Sequence, residues 1–141
     1  MTGGWAQLLS EVAASSGWRQ DFSNAWERVL GQPAILGGTV LFTSYTPSND
    51  LCAIEGSSNL WALYYKTGTA YFDPILTGLA DPFATHMSLG RGLAATPNLH
   101  VGDSAKSTAF IQTSTGAIQT IKLSNPIYMK SGSLFWLRRH E

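Results

Sequence analysis

The chain holds one cysteine, no net charge and little charge of either sign, and each shortage closes off a class of function. Cys52 alone cannot form an internal disulfide or a multi-thiolate metal site, so cysteine spacing argues neither for an oxidising compartment nor for a zinc centre; a buried free thiol is its plain reading. Nine basic against nine acidic side chains leave a formal charge of zero, and nothing in that balance draws the chain toward nucleic acid or anionic lipid. Charged residues make up only 13% of the sequence, so the polar surface falls to Ser, Thr and Asn. No apolar run approaches the roughly 20 residues that span a bilayer. Met1-Thr2-Gly3-Gly4-Trp5 has neither the basic start nor the apolar stretch of a signal peptide, which places any export signal upstream. What is present is a chain of 141 residues, 44% apolar, long enough for one domain with a core. Its wealth of Thr, Ser, Gly and aromatics is the composition of secreted all-β modules.

The first segment departs from that pattern. Trp5, Leu8, Leu9 and Val12 fall at helical spacing, with Gln7 and Glu11 on the opposite face, which predicts one short helix over residues 5–14 in an extension covering 1–16. Ser15-Ser16-Gly17 breaks it. From Trp18 onward, short alternating or β-branched runs are separated by Gly, Pro, Asn and Asp clusters. Strands are expected near Trp18–Phe22, Ala34–Leu36, Thr39–Tyr45, Asn59–Tyr65, Thr69–Phe72, Leu99–Val101, Ser107–Thr113, Ala117–Leu123 and Leu134–Arg138. Gly37-Gly38 supplies the positive φ of a two-residue hairpin, and Lys66-Thr67-Gly68 and Ser114-Thr115-Gly116 offer the same at their glycines. Long connections are expected at Thr46–Ser58 and Asp73–Asn98, the places where a β scaffold keeps its function.

The chain also repeats itself. Pro33-Ala34-Ile35-Leu36-Gly37-Gly38 answers Pro97-Asn98-Leu99-His100-Val101-Gly102, and Thr39–Tyr45 answers Ser107–Thr113. The two copies differ in one respect: the Thr-Gly turn joins the third and fourth expected strands in the first and the second and third in the second. Four short antiparallel strands in roughly 40 residues is the size of a propeller blade. The expected fold is therefore all-β: antiparallel four-stranded meanders forming a partial β-propeller of about two blades, residues 17–80 and 81–141, behind a short N-terminal helix. Trp18–Phe22 would be the outer strand of a preceding blade. A ring needs about four to eight blades, so two would leave flat faces for something else to cover.

One family resemblance rests on particular motifs. Trp26-Glu27-Arg28-Val29-Leu30-Gly31-Gln32-Pro33, followed by Val40–Tyr45 and the loop Thr46-Pro47-Ser48-Asn49-Asp50-Leu51-Cys52, resembles the C-terminal propeller region of the PilY (PilC) family of type IV pilus assembly and tip-adhesin proteins. There a Gly-Glu-Arg segment, a strand and a Pro-Ser-x-Asp-x-Cys loop follow one another; Trp26 stands at the family's glycine. The next segment, Gly56-Ser57-Ser58-Asn59-Leu60-Trp61-Ala62-Leu63-Tyr64-Tyr65-Lys66-Thr67-Gly68-Thr69-Ala70-Tyr71, is also similar to the family, and its ALxxxTG core is one that quinoprotein-type propellers share. Ser133-Leu134-Phe135-Trp136-Leu137-Arg138-Arg139 is similar to the strand that closes the last blade. The resemblance covers residues 17–139. It implies a non-catalytic, pilus-associated binding or structural module on the cell surface or in the periplasm, whose partners are pilus subunits or the rest of a propeller. Calcium enters through the resemblance alone, because the Asp-x-Asp-x-Asp-Gly spacing of the family's calcium loop does not occur here.

The residues themselves leave rival readings open. Several copies could complete a ring or fibre by pairing edges and faces, which predicts a discrete oligomer, whereas a propeller segment is expected to be unstable alone. A quinoprotein-like enzyme would need a carboxylate-held calcium and a stacked cofactor in the funnel of a full ring. His86, His100 and His140 have no metal-ligand spacing, and Gly90-Arg91-Gly92 lacks the lysine of a phosphate loop. Asn49, Asp50 and Glu55 could offer hard oxygens to a cation, or Asn49 and Asp50 could cap a turn through their side chains. Trp61 and Trp136 fit strand interiors. Trp26, with Asp50 and Cys52 on the following loop, is the expected partner surface.

Overall fold

The computed structural model describes residues 4–50, 55–102 and 106–124. The helix forms where the apolar spacing places it: α1 covers Trp5–Ala13. Eight strands follow among the described residues: β1 (Arg28–Val29), β2 (Ala34–Leu36), β3 (Thr39–Thr46), β4 (Ser57–Tyr64), β5 (His86–Arg91), β6 (Asn98–Val101), β7 (Ser107–Gln112) and β8 (Ile118–Leu123). All pairings are antiparallel, and they build two sheets.

In the first sheet β3, β4 and β5 lie side by side, and β1 and β2 share the far edge of β3. Val29 pairs with Ser44 and Ala34 with Leu41. Leu30–Pro33 is therefore a detour, four residues facing a two-residue gap on β3. Gly37 and Gly38, at φ 55° and 80°, make the two-residue hairpin between β2 and β3, a turn that demands positive φ at both positions. The second sheet is β6-β7-β8. Ala94 bridges Thr113 along β7, and Leu76 bridges Leu123 on the far side of β8. The segment around Ala94 thus prolongs the β6 edge, and Leu76 widens the sheet beyond β8.

The sheets face each other across one core. Leu41, Leu60, Ala62 and Leu89 of the first meet Ala109, Ile111, Ile121 and Leu123 of the second, with Ile75, Leu76 and Ala94 from the connections filling the space between. Burying each leucine or isoleucine among them contributes about 1.5–3 kcal/mol. Ser58 ties the link between the sheets to β4: its Oγ donates to the Gly92 carbonyl at 2.7 Å and accepts the Ala94 N–H at 3.0 Å. Thr39 is fully buried and its hydroxyl has no partner among the described residues. Thr39→Val keeps the shape and removes a stranded polar group, so it is expected to stabilise by about 1 kcal/mol, read as a higher melting temperature.

The central strands β3 and β4 are buried on both faces. Their second face carries Phe42, Trp61 and Leu63, covered by Phe22. That cover corrects one expectation. Trp18–Phe22 is not a strand but part of an irregular segment laid over the sheet, and it hides a face that two blades alone would leave open. The outer face of the second sheet shows the opposite design. Thr108, Gln112, Thr120 and Lys122 alternate with buried neighbours, and Phe110 and Ile118 stand exposed among them.

Two further expectations give way. Thr69–Phe72 is not a strand: after Lys66-Thr67-Gly68 the chain pairs once more, Tyr64 N–H to the Thr69 carbonyl, and then turns into a cluster of rings where Tyr71 meets Tyr64 at 5.0 Å. The Thr-Gly turn therefore does not join the third and fourth strands of a meander. The strand that pairs with β4 is β5, which lies inside the supposed connection Asp73–Asn98. Since β5 joins the first sheet and Leu76 the second, the two sheets interleave in sequence around residue 80. Among the described residues the sheets close no ring of blades, and no helix is long and apolar enough to cross a membrane. Leu134–Arg138 lies outside the described residues.

Candidate functional site

The most polar constellation near the covered face is built where β1 meets β3. Asn24-Ala25-Trp26-Glu27 is a turn, closed by Glu27 N–H to the Asn24 carbonyl at 3.3 Å. Its third residue, Trp26, has φ 67°, the left-handed region that favours glycine. This is the position where the resemblance has a glycine. The indole is 72% exposed, the highest exposure among the large apolar side chains described. The turn costs about 1–2 kcal/mol more with a tryptophan there than an unstrained residue would.

Glu27 anchors the far side of the turn. Ser44 Oγ–H donates to Glu27 Oε1 at 2.5 Å and the Asn59 amide donates to the same oxygen at 3.3 Å. The Asn24 amide donates to Oε2 at 3.0 Å. Ser44 in turn accepts the Trp61 indole N–H at 2.8 Å. Register explains the assembly: Ser44 pairs with Asn59, and Phe42 with Trp61, which pairs with His86. A polar rung thus sits beside an aromatic rung, with His86 stacked 4.5 Å from Trp61.

Burial pushes the Glu27 carboxyl up, but the hydrogen bonds from Ser44, Asn24 and Asn59 outweigh it and hold it below its ordinary value of 4.5. A carboxyl depressed in the folded state adds stability above its unfolded pKa, and that stability is lost as pH falls through the folded pKa. Wild type is expected to lose melting temperature faster than Glu27→Gln on acidification from about pH 5 to pH 3. Parallel curves would show that the carboxylate charge contributes nothing.

The other site candidates are not gathered here. Asn49 and Asp50 are exposed on the loop after β3. The Asp50 N–H is held by Ser48 Oγ at 3.1 Å, so the turn is capped by the serine. Glu55 is half-buried at the other end of that loop, and Cys52 lies outside the described residues. No group of three His, Cys, Asp or Glu side chains is placed to hold a metal ion among the described residues. A shallow groove of about 460 Å³ lies elsewhere, between Leu30–Gly31 and the 93–96 and 112–114 segments.

Sequence reasoning singled out Trp26 but missed Glu27, Ser44 and Asn59. Their signal was present: a serine and an asparagine inside otherwise apolar strands mark places where the strand face must meet a polar partner. Compared with known protein families, curated proteins and solved structures, the chain matches none.

Proposed function

We propose that the chain is a non-catalytic binding and structural module of a type IV pilus-associated protein, that its two sheets are propeller-type blades, and that it meets a pilus subunit through the Trp26 turn. The carrying observation is Trp26 itself: an exposed indole held at φ 67° on a turn that glycine would form more cheaply. Strain of this kind persists where something other than folding selects the side chain. An indole presents a large rigid face at low entropic cost, the usual make-up of a binding hot spot. The carboxylate beside it supports a positioning role over a chemical one, since both its oxygens accept hydrogen bonds that orient the turn. The family motifs from Trp26 to Cys52 and from Asn59 to Gly68 supply the kind of partner.

Co-sedimentation of the purified chain with sheared, purified type IV pili tests this reading. Wild type is expected to pellet with pili, and Trp26→Ala to bind roughly 30-fold more weakly, the loss of about 2 kcal/mol typical of a hot-spot tryptophan. A wild-type chain that stays in the supernatant at every pilus concentration overturns the proposal. Equal pelleting of Trp26→Ala removes the turn from the contact.

A further inference from the structure

Residues 5–22 are attached to the first sheet through side chains. Among the described residues they make no backbone hydrogen bond to either sheet, and α1 contains no buried residue. Three rings hold the segment. Trp5 packs against Tyr64 at 5.4 Å and Phe72 at 5.9 Å. Trp18 donates its indole N–H to the Tyr65 carbonyl at 2.8 Å. Phe22 lies 5.2 Å from Trp61.

Each ring has a seat made for it. At Gly68 a Cβ would come within 2.3 Å of the Trp18 ring, so the indole lies in space that only a glycine leaves. The face beneath cannot stand open to water, because Leu63 is fully buried and Trp61 and Phe42 are 6% and 8% exposed. The covering segment then ends at a strained hinge, Ser23–Trp26, after which Glu27 is fixed to Ser44 and Asn59. Opened out, those four hinge residues reach about 13 Å.

These features describe a cover that can leave, over a face that must stay covered, with seats at the spacing of Trp5, Trp18 and Phe22. The occupant that satisfies every seat is the same segment of another copy. We propose that two copies of the chain exchange residues 5–22, each laying its own segment on the first sheet of the other to form a closed two-fold dimer. Exchange preserves every ring contact and relaxes the Trp26 backbone; the entropy of association and the two Asn24–Glu27 hydrogen bonds of the opened turn oppose it, so the dimer gains with concentration. This holds whatever the Trp26 ring binds.

Complementation tests it. Trp18→Ala with Phe22→Ala spoils the covering segment and leaves the seats; Gly68→Val spoils a seat and leaves the segment. Mixed at about 100 μM, concentrated enough to favour association, the two chains can form one sound pairing between them. The expected result is a species of twice the 15.2 kDa chain mass by light scattering, absent from either variant alone. A mixture that stays at the single-chain mass overturns exchange. Where circular dichroism shows that either variant has not folded, wild type decides: it is held concentrated near its melting temperature, cooled and weighed by light scattering. A doubled mass that persists on dilution supports exchange, and a single-chain mass overturns it.

Discussion

Trp61→Ala is expected to destabilise the protein by about 3–5 kcal/mol, the range for deleting a buried tryptophan. The indole is 6% exposed and touches three other rings: Phe22 at 5.2 Å, Phe42 stacked at 6.0 Å and His86 at 4.5 Å. Its N–H also holds Ser44, which holds Glu27. Truncation therefore opens a cavity and loosens the anchor of the Trp26 turn at once. Against a total stability of about 5–15 kcal/mol, that is a large share of what holds the chain folded. Trp61→Phe keeps a ring and drops the N–H, so urea titration should place it about 1–2 kcal/mol below wild type. Equal losses in the two variants would mean that the hydrogen bond, and not the ring, carries the effect.

Gly56→Ala is expected to cost about 3 kcal/mol or more, for a different reason. Gly56 is buried at the start of β4. A Cβ there would lie 2.0 Å from the Thr46 carbonyl oxygen and 2.8 Å from Pro47 Cα, both backbone atoms that no rotamer change can move aside. The Gly56 N–H is also held by Tyr45 Oη at 3.0 Å. The alanine must push β3 and β4 apart at their last paired rung, Thr46 with Ser57. Chemical denaturation of the variant beside wild type reads the loss directly, and a stability within about 0.5 kcal/mol of wild type would contradict the close approach.

Much of the fold was legible because most of its strands advertise themselves. Ala34–Leu36, Thr39–Tyr45 and Ser107–Thr113 alternate or branch at Cβ between glycine-bearing turns, and they form strands within a residue of those limits. The Gly37-Gly38 pair and the two Thr-Gly turns also fell where positive φ was required. The failures share one physical origin, which is tertiary contact overriding local pattern. Thr69–Phe72 has a strand's composition, but Tyr71 and Phe72 are drawn into the rings of Tyr64 and Trp5. His86–Arg91 reads as loop, with no β-branched residue and a glycine at φ 81°, yet it pairs along β4. Its register shifts between Ser58 and Asn59, leaving Leu89 as an extra residue that turns into the core. Trp18–Phe22 alternates like a strand because its rings do point to a sheet, from above it and not from within it.

The site was half legible for the same reason. A tryptophan in a glycine position stands out in a linear sequence. The carboxylate anchor does not, because Glu27, Ser44 and Asn59 meet only once β1, β3 and β4 are side by side. The conservative features of the chain, its low charge and single cysteine, bear on neither.

Thermal unfolding of Trp26→Gly beside wild type tests most directly the claim that this tryptophan is kept for contact and not for folding. The glycine accepts φ 67° freely and the lost indole was mostly in water, so relief of strain outweighs the added freedom of the unfolded chain. Trp26→Gly is expected to be about 0.5–1 kcal/mol more stable, melting about 2–4 °C higher. A variant that melts lower would contradict it, and would mean that the Trp26 ring holds the fold together.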